Sequence, residues 1–325
     1  MMLLAGDVGG TKTALALVQD GALVERHTYP SADFASLDAM VEHFLGPRTR
    51  QISRACFGIA GPVENDTCRT TNLRWVVEAR ELERSLGLPR VRLVNDFYAL
   101  ATGIESLPAS DFAVLNDAPS DPKGPWAVIG AGTGLGEAIV LRSGDTYEVI
   151  ASEGGHSDFA PRNELEIDLL RFLLKRHKRV SYERVLSGRG VAMLYEFVRE
   201  RSPELESAAV REEMARSKGD TAPIVSEHGI IGDDPLCIQA MSIFATIYGA
   251  EAGNLALKTV SRGGVYVAGG IAPKIVSKLL DGTFRAAFTA KGRLSPMLEA
   301  MSVKVVLNAD AGLLGAAALA EAIAL

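Results

Sequence analysis

A stretch near the N-terminus strongly limits how this chain can fold. Residues 3–18 read LLAGDVGGTKTALALV, in which two apolar runs flank a turn rich in glycine. This pattern predicts a strand, a tight turn and a second strand, because glycine permits the backbone angles of a tight turn. Asp7 lies at the mouth of the turn, and Gly9 and Gly10 let backbone N–H groups approach an anion. Thr11 adds a hydroxyl donor.

A carboxylate beside an anion-binding turn is explained if a divalent cation lies between the two, directly or through water. Asp7 and its turn therefore predict a site for a small phosphorylated ligand with Mg²⁺. An ordinary hairpin remains the alternative for this stretch taken alone.

Two later stretches favour the phosphate interpretation. Residues 126–141 read WAVIGAGTGLGEAIVL and repeat the pattern of strand, Gly/Thr turn and strand. Residues 264–273 read GVYVAGGIAP, which predicts a buried strand, paired glycines and a helix beginning at Pro273. Neither hairpin is a Walker loop, and neither fits the dinucleotide fingerprint, which needs a helix after the glycines.

The three motifs, in this order, resemble the two phosphate motifs and the adenosine motif of the sugar kinase, actin and heat-shock ATPase superfamily. The resemblance implies an α/β, two-domain, actin-like ATPase (ribonuclease H-like) fold with an active-site cleft between the domains. It implies ATP and Mg²⁺ as cofactors, with the metal at Asp7. The residues expected to bind ATP are Gly6, Asp7, Val8, Gly9, Gly10, Thr11, Gly132, Thr133, Gly134, Gly269 and Gly270.

The length of 325 residues is sufficient for two domains, which we expect to be residues 1–110 with 308–325 and residues 111–307. With 34 basic and 40 acidic residues the net charge is −6, which argues against a nucleic-acid-binding protein. A basic cluster at residues 171–179 is interpreted as a solvated helix end.

Cysteine usage and the N-terminus indicate a cytoplasmic protein. The three cysteines, Cys56, Cys68 and Cys237, form no C-x-x-C pair, so we expect no structural zinc. A sparse, odd number of cysteines suits a reducing compartment. Asp7 interrupts the first apolar run early, so the N-terminus does not resemble a signal peptide, and we expect no membrane association.

A second polar site is predicted where a strand meets a helix. Residues 91–94 read VRLV and are expected to form a strand that ends at Asn95 and Asp96. A helix over 97–102 that ends at Gly103 is expected to follow. Ligands bind at such junctions in open α/β sheets. Asp96 is interpreted either as a helix cap or as a residue that faces a ligand, and the two are compatible.

A third polar stretch carries the hydrogen-bonding groups that a sugar requires. Residues 151–161 read ASEGGHSDFAP, in which Glu153 precedes His156 by three residues. A lone histidine is more often structural, but a carboxylate with an imidazole supplies both acceptors and donors for a polyol. Glu183 lies in a later stretch, 182–190, that reads YERVLSGRG.

The stretches LVNDF, EGGHSDFAPR and ERVLSG resemble bacterial ATP-dependent glucokinases of the proteobacterial type, over nearly the whole chain. The resemblance implies transfer of the γ-phosphoryl of ATP to the 6-hydroxyl of glucose, and a homodimer. Asp96 would be the catalytic base, and the residues expected to hold glucose are Asn95, Asp96, Glu153, His156 and Glu183.

The chain departs from the family pattern at Lys12, where the members considered have Asn. It also lacks the cysteine-rich zinc motif of the related repressor–kinase (ROK) proteins, because Ser157 to Ala160 stand in its place. A kinase for another hexose, or a non-catalytic regulator that binds ATP or sugar, are the alternatives.

Overall fold

The chain divides into two compact units. The computed structural model describes residues 2–70, 73–144, 146–217 and 219–324. The first unit comprises Met1–Asp111, Val149–Ala151 and Asn308–Leu325, and the second comprises Phe112–Glu148 and Ser152–Leu307.

Both units contain strands and helices. The strands are β1 (Met2–Val8), β2 (Lys12–Gln19), β3 (Ala22–Pro30), β4 (Ile52–Ile59), β5 (Val63–Glu64), β6 (Thr67–Arg69), β7 (Val76–Glu78), β8 (Val91–Asn95), β9 (Phe112–Asn116), β10 (Trp126–Ala131), β11 (Leu135–Ser143), β12 (Thr146–Ser152), β13 (Gly264–Ala268) and β14 (Val303–Val306). The α-helices are α1 (Leu37–Leu45), α2 (Ala79–Leu86), α3 (Asp96–Ile104), α4 (Glu164–Leu174), α5 (Gly188–Arg201), α6 (Ala208–Arg216), α7 (Ala222–Ile231), α8 (Pro235–Thr259), α9 (Val276–Leu280), α10 (Thr283–Thr289), α11 (Ser295–Glu299) and α12 (Ala311–Glu321).

The first unit is built on a five-stranded sheet of order β3-β2-β1-β4-β8. β1 and β2 pair antiparallel, so the predicted hairpin is confirmed, while β4 runs parallel to both β1 and β8. The sequence did not predict β3 or the small sheet of β5, β6 and β7. β3 is an edge strand whose side chains are mostly exposed, and it therefore lacks the alternation of apolar residues that identifies a half-buried strand.

Helices α3 and α12 pack against one face of this sheet and lie unusually close to each other. The face carries small side chains, among them Ala5 and Ala16. A Cβ at Gly103 would lie 1.8 Å from the carbonyl oxygen of Ala311, so the two helix backbones touch. Gly103 was expected to end α3, and this was wrong, because the helix continues to Ile104 and needs glycine there for packing.

The second unit is built on a six-stranded sheet of order β12-β11-β10-β13-β14-β9. β10 and β11 form the predicted second hairpin, and β13 pairs parallel with β10. The buried helix α8 packs against this sheet, and the hydroxyl of Tyr248 accepts a hydrogen bond of 3.0 Å from the backbone N–H of Ala131, at the end of β10. The helix expected at Pro273 begins as a 3₁₀ turn over Ala272–Ile275 and becomes α-helical at Val276.

No single helix in the described part of the chain is long and apolar enough to cross a membrane. α7 and α8 meet the criterion only together, with a bend of 98° between them.

Candidate active site

Hydrogen bonds from buried hydroxyl groups fix the turn of the first hairpin. The Ser31 hydroxyl donates to the Gly9 carbonyl at 2.8 Å and lies 2.9 Å from the hydroxyl of Thr13. The Gly9 N–H donates to the carbonyl of Lys12 at 3.0 Å. Gly9 does not have a positive φ, but a Cβ there would lie 2.8 Å from the Lys12 carbonyl oxygen. Glycine is therefore required by close approach, and not by a left-handed backbone as the sequence suggested.

The other residues of this turn divide into core and exposed positions. A Cβ at Gly6 would lie 2.4 Å from the ring of Phe57, and the Val8 side chain is buried in the core. Gly6 and Val8 can therefore contact a ligand only through their backbones. Gly10 is half-buried and Thr11 is exposed.

Asp7 lies at the end of β1 beside the start of α12. A Cβ at Gly312 would lie 3.3 Å from one carboxylate oxygen of Asp7. Burial, together with the neighbouring carboxylate of Asp310, raises the pKa of Asp7 to about 6, and the Arg26 guanidinium opposes this shift. Arg26 pairs with Asp310 at 2.6 Å. Sequence reasoning missed Asp310, whose signal was an acid just before an Ala- and Gly-rich helix.

Asn95, and not Asp96, is the N-cap of α3. The Asn95 side-chain oxygen accepts from the N–H groups of Phe97 and Tyr98 at 2.9 and 3.3 Å, and its amide donates to the Gly61 carbonyl at 3.1 Å. Asp96 is the first residue of the helix, is half-buried, and accepts from the Phe97 N–H at 3.0 Å. Asn95 therefore provides the cap, and the carboxylate of Asp96 adds one hydrogen bond at the same helix N-terminus.

The turn of the second hairpin contacts two other predicted motifs. The carboxylate of Glu183 accepts from the N–H of Leu135 at 3.2 Å, and a Cβ at Gly134 would lie 2.4 Å from the same oxygen. Gly132 accepts from the N–H of Gly188, at the start of α5, at 2.9 Å. Sequence reasoning did not single out Gly188, although it quoted the stretch.

Gly269 and Gly270 lie against the same turn. Gly269 has a φ of 81°, and a Cβ there would lie 2.5 Å from the carbonyl oxygen of Ala131. A Cβ at Gly132 would lie 3.8 Å from the Gly270 nitrogen. Thr133, at the tip of the turn, is exposed. The structure thus brings the second phosphate motif and the adenosine motif together within the second unit.

The predicted sugar residues of this unit also lie together. Nε2 of His156 is 3.9 Å from Glu153, and Nδ1 is 4.0 Å from Glu183. The loop is held close to the hairpin, because a Cβ at Gly155 would lie 2.0 Å from the Leu135 carbonyl oxygen. The side chains of Glu153, His156 and Glu183 keep 62%, 52% and 31% of their surface exposed. They therefore offer accessible donors and acceptors beside the second turn.

A buried carboxylate that sequence reasoning missed lies beneath the sugar loop. Glu137, on β11, is only 2% exposed, and a Cβ at Gly154 would lie 1.9 Å from its carboxylate. Burial raises the pKa of Glu137 to about 7; the nearby carboxylate of Glu251 adds to this shift and Lys258 opposes it. The signal was a single acid in an otherwise apolar strand.

Glu251 connects this region to the residue before Glu183. It accepts from the Asn254 amide at 2.8 Å, and the same amide lies 3.2 Å from the hydroxyl of Tyr182.

Across the described ranges, no group of three or more His, Cys, Asp or Glu side chains is arranged to hold a metal ion.

Comparison with known proteins decides the family. The sequence matches the family described as Glucokinase over residues 4–323. The chain belongs to the glucokinase family. A glucokinase from Synechocystis sp. is 47% identical, and one from a Nostoc species 43% identical, each over 97% of this chain and at least 96% of its own length. The predicted family, and with it the prediction of an enzyme of the glucokinase type, is confirmed.

Solved structures show the same fold. A glucokinase from an Antarctic psychrotroph has a TM-score of 0.80 at 31% identity, with 98% of each chain covered. At 23% identity, a ROK family glucokinase from Streptomyces griseus, in complex with glucose and AMPPNP, has a TM-score of 0.68 and covers 99% of each chain. The predicted α/β fold of the actin-like ATPase type is confirmed.

Proposed function

We propose that this protein transfers the γ-phosphoryl group of ATP to the 6-hydroxyl of glucose, giving glucose 6-phosphate and ADP. The observation that carries the proposal is the contact of Glu183 with the turn of the second hairpin. A group suited to hold a sugar hydroxyl thereby lies beside a glycine-rich turn suited to hold phosphate. Family membership supports the same conclusion.

The residues of the second unit supply sugar and nucleotide contacts in this proposal. Glu153, His156 and Glu183 would exchange hydrogen bonds with hydroxyls at one end of the pyranose, because carboxylates accept and imidazole can donate. The turn at Gly132 to Gly134 would face phosphate, and Gly269 with Gly270 would leave space for adenosine.

The residues of the first unit supply the base and the first phosphate turn. Asp96 would accept the proton of the 6-hydroxyl as that oxygen attacks the γ-phosphorus, and Asn95 has a second amide hydrogen for the sugar. In phosphoryl transfer most of the rate enhancement is positioning and charge stabilisation, to which the turn at Gly9 to Thr11 would contribute.

The carboxylate of Asp7 lies beside that of Asp310, and a divalent cation would suit the pair; burial and, after it, the charge of Asp310 raise the pKa of Asp7. Bound with ATP, Mg²⁺ would neutralise charge on the phosphates. Asp7 would hold it directly or through water.

We also propose a cytoplasmic homodimer that acts in glycolysis, with residues 1–110 plus 308–325 and residues 111–307 as its domains.

A panel of hexoses in a coupled ADP assay tests the proposal. A site that hydrogen-bonds a hydroxyl strongly rejects analogues that leave its polar groups unpaired. We therefore expect glucose to be preferred over fructose and N-acetylglucosamine in kcat/KM. Equal efficiency on all three would indicate a kinase of another specificity, and ATP or sugar binding without turnover would indicate a regulator.

A further inference from the structure

A basic cavity lies beside the sugar residues of the second unit. Its volume is about 400 Å³, and its walls come from the segment after α4 and from the residue after Glu183. Five basic side chains line it: Arg176, His177, Lys178, Arg179 and Arg184. Ser181 contributes a hydroxyl, and His156 and Glu183 form the side that it shares with the sugar residues.

Ordinary structural roles account for two of these cations. Arg176 donates to the Phe172 carbonyl at the end of α4, and its guanidinium stacks on the Phe172 ring, 3.8 Å from the centroid. Arg179 pairs with Asp158 at 2.6 Å and also donates to the His156 carbonyl. These contacts agree with the interpretation of the cluster as a helix end.

The other basic groups have no such explanation. Lys178 and Arg184 form no ion pair with any residue in the described ranges. Arg179 is neutralised by Asp158, and Arg176 lies 3.8 Å from Glu200 and 4.0 Å from Glu196. Lys178 and Arg184 therefore face the cavity with only the carboxylate of Glu183 in its lining to oppose them. Burial, with the cations of Arg184 and Arg176, lowers the pKa of His177. Like charges from two separate chain segments have thus been brought together around an open volume, which an anion would stabilise.

We propose that this cavity binds the phosphate group of a small phosphorylated metabolite of triose or hexose size, and that its occupancy weakens glucose binding. Guanidinium groups bind phosphate in bidentate fashion, and Ser181 and His177 supply further donors. The volume exceeds that of phosphate alone and lies in the usual range of small-molecule sites. The effect on glucose rests on the proposed function, because both ligands would use His156 and Glu183.

Direct binding of inorganic phosphate tests the site without glucose or ATP. Phosphate is titrated into the full chain at constant ionic strength set with NaCl, and binding is followed by calorimetry and by the imidazole resonance of His177, assigned with His177→Gln. We expect saturable binding and a rise of the His177 pKa, because a bound dianion favours the imidazolium. A triose or hexose phosphate is expected to bind more tightly than inorganic phosphate.

Matched variants separate the cavity from general surface charge. Lys178→Ala and Arg184→Ala are each expected to weaken phosphate binding by about tenfold, as expected for loss of a charged hydrogen bond. Lys175→Ala removes the same charge three residues from Lys178, but Lys175 pairs with Glu200 and lies outside the lining, so binding is expected to stay unchanged. In steady-state kinetics a hexose phosphate should raise the KM for glucose without lowering kcat, and Lys178→Ala should abolish this effect.

Several outcomes would overturn the proposal. One is the absence of saturable phosphate binding at fixed ionic strength, and another is equal weakening by Lys175→Ala. Binding to vesicles of anionic phospholipid without binding of free phosphate would assign the patch to a membrane surface instead. If the protein failed to phosphorylate glucose but still bound phosphate through Lys178 and Arg184, the site would stand and only its link to glucose would fall.

Discussion

The two roles predicted for Asp96, helix cap and general base, can be separated by one substitution. Asn95 caps α3 with its side-chain oxygen, so replacing Asp96 by Asn leaves the cap in place. The substitution keeps the size of the side chain but removes a proton acceptor. General base catalysis contributes about 10²–10⁴-fold. We expect Asp96→Asn to lower kcat by roughly that factor, while glucose binding, followed by intrinsic fluorescence, weakens far less.

Asp38→Asn provides the matched control for this variant, because Asp38 is also an acid in the first turn of a helix of the same unit. Both variants lose the same helix-dipole interaction, and both should unfold at nearly the same temperature as the parent. If Asp96→Asn keeps kcat within about threefold of the parent, well below a general-base contribution, Asp96 is not the base.

Glu137 makes the stability of the protein depend on pH. Its pKa is about 7 in the folded protein, above the ordinary 4.5, so the folded state holds the proton more tightly than the unfolded state. Stability from this group is therefore complete below about pH 4.5 and is lost as the pH rises through about 7. The shift corresponds to about 3 kcal/mol at alkaline pH.

Glu137→Gln should remove this dependence, because the amide is neutral at every pH. We expect the variant to gain up to about 3 kcal/mol in free energy of unfolding over the parent near pH 8, and much less near pH 5. Urea titrations at the two pH values measure the difference. Glu148→Gln, at an exposed position, is the control and should show no such difference. An equal effect of Glu137→Gln at both pH values would contradict a protonated carboxyl beneath the sugar loop.

At the scale of elements, local patterns were sufficient for the hairpins and insufficient for long-range packing. The two hairpins were predictable because apolar runs, and the glycines between them, adjoin in sequence. Gly103 was misjudged because its neighbour, α12, comes from the other end of the chain. The contact of Glu183 with Gly134 likewise depends on tertiary folding, although each residue was predicted as part of a site. Glu137 was missed because its burial depends on the loop above it.

The contact between α3 and α12 gives a stability prediction. A Cβ at Gly315 would lie 1.7 Å from the carbonyl oxygen of Ala99, so the helices must move apart to accept it. We expect Gly315→Ala to lower the free energy of unfolding by at least about 2 kcal/mol, despite the higher helix propensity of alanine. Ala318→Gly, on the exposed side of α12, is the control and should cost only about 0.5–1 kcal/mol. Urea unfolding of both variants tests this, and a neutral Gly315→Ala would contradict the close packing.

At the scale of the whole molecule, the family match spans both units, from residue 4 to residue 323. Each unit has its own sheet and its own core clusters. The three cysteines are free and buried, one on each of β4, β6 and α8. Burial raises the pKa of Cys68 to about 11, so this thiol stays protonated and is a poor metal ligand at neutral pH.

Removal of zinc and removal of Mg²⁺ should therefore have different effects. The cores consist of apolar side chains, so a zinc-selective chelator is expected to leave both the melting temperature and the activity unchanged. Removal of Mg²⁺ is expected to abolish turnover, since the ATP phosphates would lack their counter-ion near Asp7 and Asp310, and re-addition of Mg²⁺ should restore it. Activity is measured by the coupled ADP assay and folding by circular dichroism. Unfolding on zinc removal would reveal a structural metal site, and full turnover without any divalent cation would refute the assignment of Asp7.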